Sequence, residues 1–390
     1  YDMATAPKFA NFFNTYIDYR NDLANDAYSF PEEEKYTPEE LAEIEAGGAG
    51  TDWMDEITRA HGTINDHQLT ASGGNDQVTY YSSLGYYSHK GLVKETNMDR
   101  YSAKLNLTAT PGKKISLGMN FNGSVIKDDQ INYGGGHANY GILDVAKNWM
   151  PTLSPKDEDG NYTLHPIDPG FPNPVSQLAI TDQIKSERVL LTAWGEYSII
   201  QDLSLKLEAG VDRDNAIRYG YVPKSTYVGS RVDGEATINN NRRTSELVNL
   251  LMNYNKDIKS ASNFSTMLGF SYQNFDSEGF GAKHQGFAVE TFEFNNLSAG
   301  SVNLPSYSYR NNHDLVSSFI RSNLNLQDKY LLTFTARADG SSRFGENNKW
   351  AFFPSGAVAW KIHNEDFFNE NGVFSILKLR TSYGLTGNQE

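Results

Sequence analysis

The chain has no cysteine among its 390 residues, which removes disulfide frameworks, thiolate catalysis and zinc–thiolate sites together. Apolar residues are sparse as well: 38% of the chain is hydrophobic, and the mean hydropathy is −0.56. No stretch approaches the ~18 uninterrupted apolar residues that a membrane helix needs. Positive charge is in short supply, with 34 Lys and Arg against 48 Asp and Glu, a net charge of −14 that no basic stripe interrupts. Phosphate binding needs clustered cations, so no nucleic-acid partner is expected. The chain opens at Tyr1 without a charged, then apolar, leader, and it stops just after a strand-like run over 375–385. Both ends suggest an interior piece of something longer.

What is present in quantity is alternation. Leu203, Leu205, Leu207, Ala209 and Val211 share one face, and Ser204, Lys206, Glu208 and Gly210 share the other. Across the link Ile200-Gln201-Asp202, Val189, Leu191, Ala193, Tyr197 and Ile199 stand against Arg188, Thr192, Glu196 and Ser198. Period two marks strands with one oily and one wet face. Runs of this kind cover roughly 66–73, 77–88, 98–109, 113–127, 186–200, 203–217, 244–256, 262–276, 313–326, 329–338, 349–362 and 375–385, about twelve in all. Leu331, on the wet face of its run, is an exception. The lengths suit membrane strands of about ten residues, with some overhang.

The links have their own rhythm. Gly74-Asn75-Asp76, Thr110-Pro111-Gly112, Gln201-Asp202 and Gln327-Asp328 are tight turns, separated by long connections over 128–185, 218–243, 277–312 and 339–348. A soluble sandwich also alternates, but its connections are more uniform in length. The pattern predicts an all-β fold: a partial antiparallel transmembrane β-barrel with short periplasmic turns and long extracellular loops. An open sheet of that kind leaves two edges of unpaired backbone. In hydrocarbon those edges cost on the order of tens of kcal/mol, against about 5–15 kcal/mol for a whole domain's net stability.

Residues 1–60 differ from the barrel region 61–390 and predict a surface loop with one short helix. Thr37 is its N-cap, Pro38 its first residue, Glu39 and Glu40 its acidic first turn, and Gly47-Gly48 its stop. Signs of chemistry are few. Asp157-Glu158-Asp159-Gly160-Asn161 lacks the ligand spacing of a calcium loop and reads as a solvated turn. Tyr133-Gly-Gly-Gly136 lacks the strand, lysine and helix of a phosphate cradle. The eight histidines show no metal spacing, and no catalytic pair stands out among the acids. No enzyme, cofactor or metal is expected. The 128–185 connection carries Tyr133, Tyr140, Trp149, Tyr162 and Phe171, whose rings can stack on sugars, touch a lid, or pack the loop on itself.

Four stretches then carry a resemblance. They are Thr51-Asp-Trp-Met-Asp-Glu-Ile57 with Asn65–Gly74; Tyr80–Tyr87 leading to Arg100–Leu107; Arg337-Ala-Asp339-Gly340-Ser341-Ser342-Arg343-Phe344-Gly345 with Trp350–Ser355 and Ala359-Trp360; and Leu377–Asn388. In this order they resemble the SusC/RagA type of TonB-dependent outer-membrane transporter found in Bacteroidetes. The resemblance implies a 22-stranded barrel of which this chain supplies about twelve strands, with the plug, TonB box and terminal strands lying outside it. It also implies an outer-membrane location, TonB reached through an N-terminal region, a SusD-type surface lipoprotein as lid, and surrounding membrane lipid. The implied cargo is an oligosaccharide or a peptide. A secreted or surface glycan-binding protein without transport activity is the alternative reading. Asp339 and Arg343 are expected to form an ion pair bracing the signature loop.

Overall fold

Each alternating run becomes a strand, and neighbouring runs pair in chain order into one antiparallel sheet. The computed structural model describes residues 4–27, 35–131, 141–166, 168, 170–258, 261–369 and 372–388. Its strands are β1 (Thr63–Gly74), β2 (Val78–Lys90), β3 (Asn97–Ala109), β4 (Ile115–Gln130), β5 (Thr181–Ile200), β6 (Leu203–Val222) and β7 (Glu235–Ile258). They continue as β8 (Ser262–Phe287), β9 (Gly300–Asn303), β10 (Tyr307–Leu326), β11 (Tyr330–Ser341), β12 (Trp350–Lys361) and β13 (Lys378–Gly384). Only β9 leaves the serial order, doubling back on the end of β8. An up-and-down meander of this size is the topology of a barrel wall. β1 and β13 form its edges and are exposed along their whole length.

Register keeps the oily faces together. Ala193 faces Ala209, which faces Val248, then Tyr272, then Val316, a continuous apolar row across five strands. Beside it Leu207, 53% exposed, lies opposite Leu250, and Leu250 lies opposite Phe270. So many large exposed apolar side chains on one face form a band of the kind that membrane strands present. No described helix is long and apolar enough to cross a membrane.

The strands are longer than a bilayer requires. β5 to β8 and β10 run 20 to 26 residues, where about ten suffice to span. Beyond the band, the same outer face turns polar: Arg242, Glu278 and Arg310 stand directly opposite one another, with Arg242 and Arg310 paired to Glu278 and Asp276. The expected connections 218–243 and 277–312 therefore shrink to 223–234 and 288–306. Where both faces are wet, the period-two signal fades although the strand continues. The expected alternation of links holds with two exceptions. The β2–β3 link at 91–96 is short on the long-loop rim, and the β12–β13 link at 362–377 is long on the other.

The turns themselves follow local chemistry. Asn75 Oδ1 accepts from the Gln77 and Val78 amides at 2.9 Å each. Gln327 and Asp328 both take φ of 53°, the paired left-handed residues that match a two-residue hairpin turn to the strand twist.

The first sixty residues correct the expectation of a single short helix. Helix α1 (Ala6–Ala27) precedes α2 (Pro38–Ala46), and α3 (Trp53–Ile57) leads into β1. α2 matches the sequence reading: the Glu40 amide donates to Thr37 Oγ1, and Glu40 Oε2 accepts from the Thr37 amide at 2.7 Å, a capping box. Among the described side chains of α1 the buried ones are Ala6, Ala10 and Ile17, and its aromatics are scattered, so the sequence shows no clear helical stripe there. α4 (Ile142–Asn148), α5 (Pro174–Gln177) and α6 (Tyr227–Ser230) lie in the long connections. Trp53 and Ile57 of α3 bury against Ile131, Ile142, Val145, Ala146 and Trp149, forming a small core on the long-loop rim.

Candidate substrate-contact loop and inner wall

The long connection after β4 organises around Trp149. Phe171 stacks on it with centroids 5.4 Å apart, while Trp53 and His165 meet it edge-on at 5.6 and 5.2 Å. Trp149 is 2% exposed and has no open face, and its buried Nε1 finds no hydrogen-bond acceptor among the described residues. Trp53 Nε1, by contrast, donates to the Met150 carbonyl at 3.0 Å. Phe171 is half-buried in the same cluster. Tyr162 lies apart from it, half-buried, with Lys156 Nζ 5.0 Å from its ring centre. Tyr133 and Tyr140 lie outside the described residues. Of the five candidate rings, the structure thus joins Trp149 and Phe171 and leaves Tyr162 separate.

His165 is held neutral by this setting. Burial lowers its pKa, with Asp168 opposing, and its Nδ1 accepts the Asp168 amide at 3.0 Å, which only an unprotonated nitrogen can do. The acidic stretch 157–161 is a turn: Asp157 Oδ1 accepts from the Asp159 and Asn161 amides at 3.1 and 2.8 Å, and Gly160 supplies φ of 83°.

The signature loop differs from expectation. Asp339 pairs with Arg337, Nε to Oδ1 at 2.6 Å, and not with Arg343. The two stand on the same face of β11, two residues apart, so the shorter reach wins. Arg337 also donates to Ser317 Oγ at 2.7 Å and lies over the Phe319 ring at 5.1 Å. Gly340 faces Trp350 across the ladder, whose indole fills the space a side chain would take. Ser341 is buried, and Ser342 extends the pairing onto β10: its amide donates to the Asp314 carbonyl at 3.0 Å, and its Oγ accepts the Asp314 amide at 2.8 Å. Phe344 is exposed, and Gly345 accepts the Asn348 amide, closing the turn. Arg343 is thereby carried past the end of β11 toward the inner wall.

That wall carries polar cross-strand pairs among its rings. Arg188 grips Asp212 through two bonds of 3.0 and 2.8 Å. Arg218 grips Asp182, whose side chain is 2% exposed, at 2.7 and 2.6 Å. Lys206 lies 4.8 Å from the Trp194 ring centre. Near the long-loop rim a hollow of about 580 Å³ is lined by Asp182, Arg218, Glu235, Asn239, Lys283 and Tyr307 among others. A second, of about 620 Å³, is lined by Arg243, Ser277, Phe275, Asn311, His313 and Arg343 among others. Glycines on this face lie beneath rings from the next strand: Gly281 under Tyr307, Gly279 under Tyr309, Gly269 under Phe319 and Gly118 under Trp194. Tyr307 and Tyr309 lie inside the expected connection 277–312, and in the structure they stand on β10. Their signal was a Gly-x-Gly facing a Tyr-x-Tyr at strand spacing.

No protein-family model matches the chain. Over 346 residues it is 35% identical to TonB-dependent receptor P3 of Formosa agariphila, covering 88% of this chain and 34% of that protein. Over 367 residues it is 31% identical to TonB-dependent receptor SusC of Bacteroides thetaiotaomicron, covering 88% and 35% respectively. The chain spans about a third of the length of the curated relatives it matches. In fold it is similar to a chain of the RagAB peptide transporter, with a TM-score of 0.77 at 22% identity, covering 100% of this chain and 45% of that one.

Proposed function

Since the chain belongs to the SusC/RagA type of TonB-dependent outer-membrane receptors, we propose that the protein it forms part of imports a nutrient oligomer across the outer membrane. The observation that carries this reading is the two-sidedness of the sheet. An apolar band faces outward, and a wall carrying ion pairs such as Arg188–Asp212 and Arg218–Asp182, with two hollows, faces inward, as a barrel enclosing a hydrated passage requires. In this reading the protein is a receptor and not an enzyme, and energy reaches it from TonB. A SusD-type lipoprotein covers the long-loop rim. The cluster of α3 to α5 around Trp53 and Trp149 is the surface it rests on, with Tyr162 and Phe171 the rings nearest lid or cargo. A surface binding protein without transport leaves the outward apolar band without a role. The test is uptake of labelled oligosaccharides and peptides by cells carrying the full-length receptor, with and without tonB. Uptake that needs the receptor and stops without tonB is the expected result. Binding without TonB-dependent uptake overturns the proposal.

A further inference from the structure

Five of the ten arginines in the strands of this sheet are matched to carboxylates: Arg188 to Asp212, Arg218 to Asp182, Arg242 to Glu278, Arg310 to Asp276 and Arg337 to Asp339. Arg243 and Arg343 are not, although acids outnumber bases in the chain. Neither guanidinium has an ion-pair partner among the described residues, and both line the same 620 Å³ hollow. Asp214 stands directly across from Arg243 in the ladder, yet the two form no ion pair, and Arg243 lines the side toward β8. The one carboxylate lining the hollow, Asp276, is already held by Arg310 at 3.0 and 2.9 Å. Two guanidinium groups at one cavity repel each other unless an anion lies between them, and their planar forks suit carboxylate and sulfate oxygens.

The rest of the hollow describes what carries that anion. Ser277 and Asn311 offer hydrogen bonds, and His313 lies flat on Phe275 with centroids 4.7 Å apart. Two residues along β10 from Asn311, on the same face, Tyr309 lies over Gly279, and Tyr307 follows over Gly281. They are 40% and 55% exposed: one face of each ring rests on glycine and the other is open to the passage. Open ring faces beside amides and hydroxyls suit the flat, hydroxyl-edged surface of a sugar. The hollow that holds the two arginines has one apolar side chain in its lining, Phe275, and His313 covers it, so it gives the apolar side chains of a peptide little to bury against.

We propose that this wall binds an acidic oligosaccharide, with a carboxylate or sulfate ester held between Arg243 and Arg343 and adjoining sugar rings stacked on Tyr309 and Tyr307. The proposal rests on the import reading and names its cargo. The test measures affinity of the purified full-length receptor for tetragalacturonic acid, its uncharged methyl ester, a sulfated carrageenan tetrasaccharide and a hexaglutamate peptide. At least one acidic sugar is expected to bind about tenfold more tightly than the ester at low salt. That preference should disappear in the Arg243→Gln/Arg343→Gln double variant and return in part with lysine at both positions. Preservation of the receptor's heat-modifiable migration shows that the variants are folded. Preference for a carboxylated or a sulfated sugar identifies the anion. Equal binding of acid and ester, tighter binding of the peptide, no binding of any sugar, or a preference that survives the double variant overturns the proposal. TonB dependence of uptake is scored separately, so loss of acid preference with uptake intact removes this inference and leaves import standing.

Discussion

At the scale of single residues, the same side chain type has opposite consequences on the two faces of one strand. Lys206 sits on the inner face over Trp194 and beside Glu208, at 3.4 Å, where its charge is solvated and paired. One position along, Leu207 stands exposed on the apolar outer face, opposite Leu250. Leu207→Lys in the full-length receptor is expected to cost about 2–4 kcal/mol if the site lies near the bilayer midplane, measured by denaturant unfolding in lipid vesicles. Gly279→Ala is expected to cost about 1–3 kcal/mol in the same assay, because its new carbon would meet the Tyr309 ring at 2.6 Å and the Asn240 carbonyl at 2.9 Å. The ring can rotate away, but the carbonyl cannot. Alternation made the first of these positions legible in the sequence. The second was hidden, since a glycine's partner is visible only once the register is known.

Elements show where local signals suffice and where they fail. α2 was legible because its cap, proline and acids are all within one turn, whereas the aromatics of α1 are scattered and β9 is only four residues long. Asp339 is expected to pair with Arg343 and pairs with Arg337 for a related reason: without knowing where β11 ends, sequence cannot tell a same-face neighbour from a loop neighbour. In the loop after β4, the aromatic residues were legible but their packing was not. Trp149→Ala removes a buried ring from the centre of that cluster and is expected to cost it about 3–5 kcal/mol, read as faster proteolysis between 141 and 180. His165 adds a pH dependence. Burial lowers its pKa from 6.5, so below that pH the opened loop takes up a proton that the packed loop refuses. Protection is expected to be complete above pH 6.5 and to fall as the pH drops through the region below it. His165→Phe should flatten the response.

For the whole molecule, the short-turn rim is where the strands are tied together outside the membrane. Glu365 accepts from Tyr330 Oη at 2.7 Å, Trp360 Nε1 at 2.9 Å and Lys329 Nζ at 3.0 Å, binding the ends of β11 and β12 to the link that follows. The Tyr330 hydroxyl, then Lys329 and Trp360, hold its pKa down to about 2 from 4.5. Its contribution is therefore present above pH 4.5 and is lost as the pH falls toward 2. Thermal midpoints of the full-length receptor and its Glu365→Gln variant should differ at neutral pH and converge in that acid window. The sheet's two edges set a further expectation. Expressed alone in detergent, the 390-residue chain should yield no heat-modifiable, protease-resistant band, because the outer edges of β1 and β13 have no partner strand among the described residues. Fold class, strand order and the lipid band could be read from the amino acids, because bilayer physics writes them as alternation. The upper wall could not, because water on both sides asks for no pattern.

That upper wall bears on how a charge would be recognised. Arg243 neighbours the Arg242, Glu278 and Arg310 row, so the hollow it lines is level with polar strand ends on the outside and not with the apolar band. An ion held there is flanked by water beyond the sheet as well as within it. The guanidinium groups at that height are spared the penalty that hydrocarbon imposes on unpaired charge. Their field is that of an aqueous surface, open to screening by salt. A receptor built this way would capture best in dilute media and release as ionic strength rises.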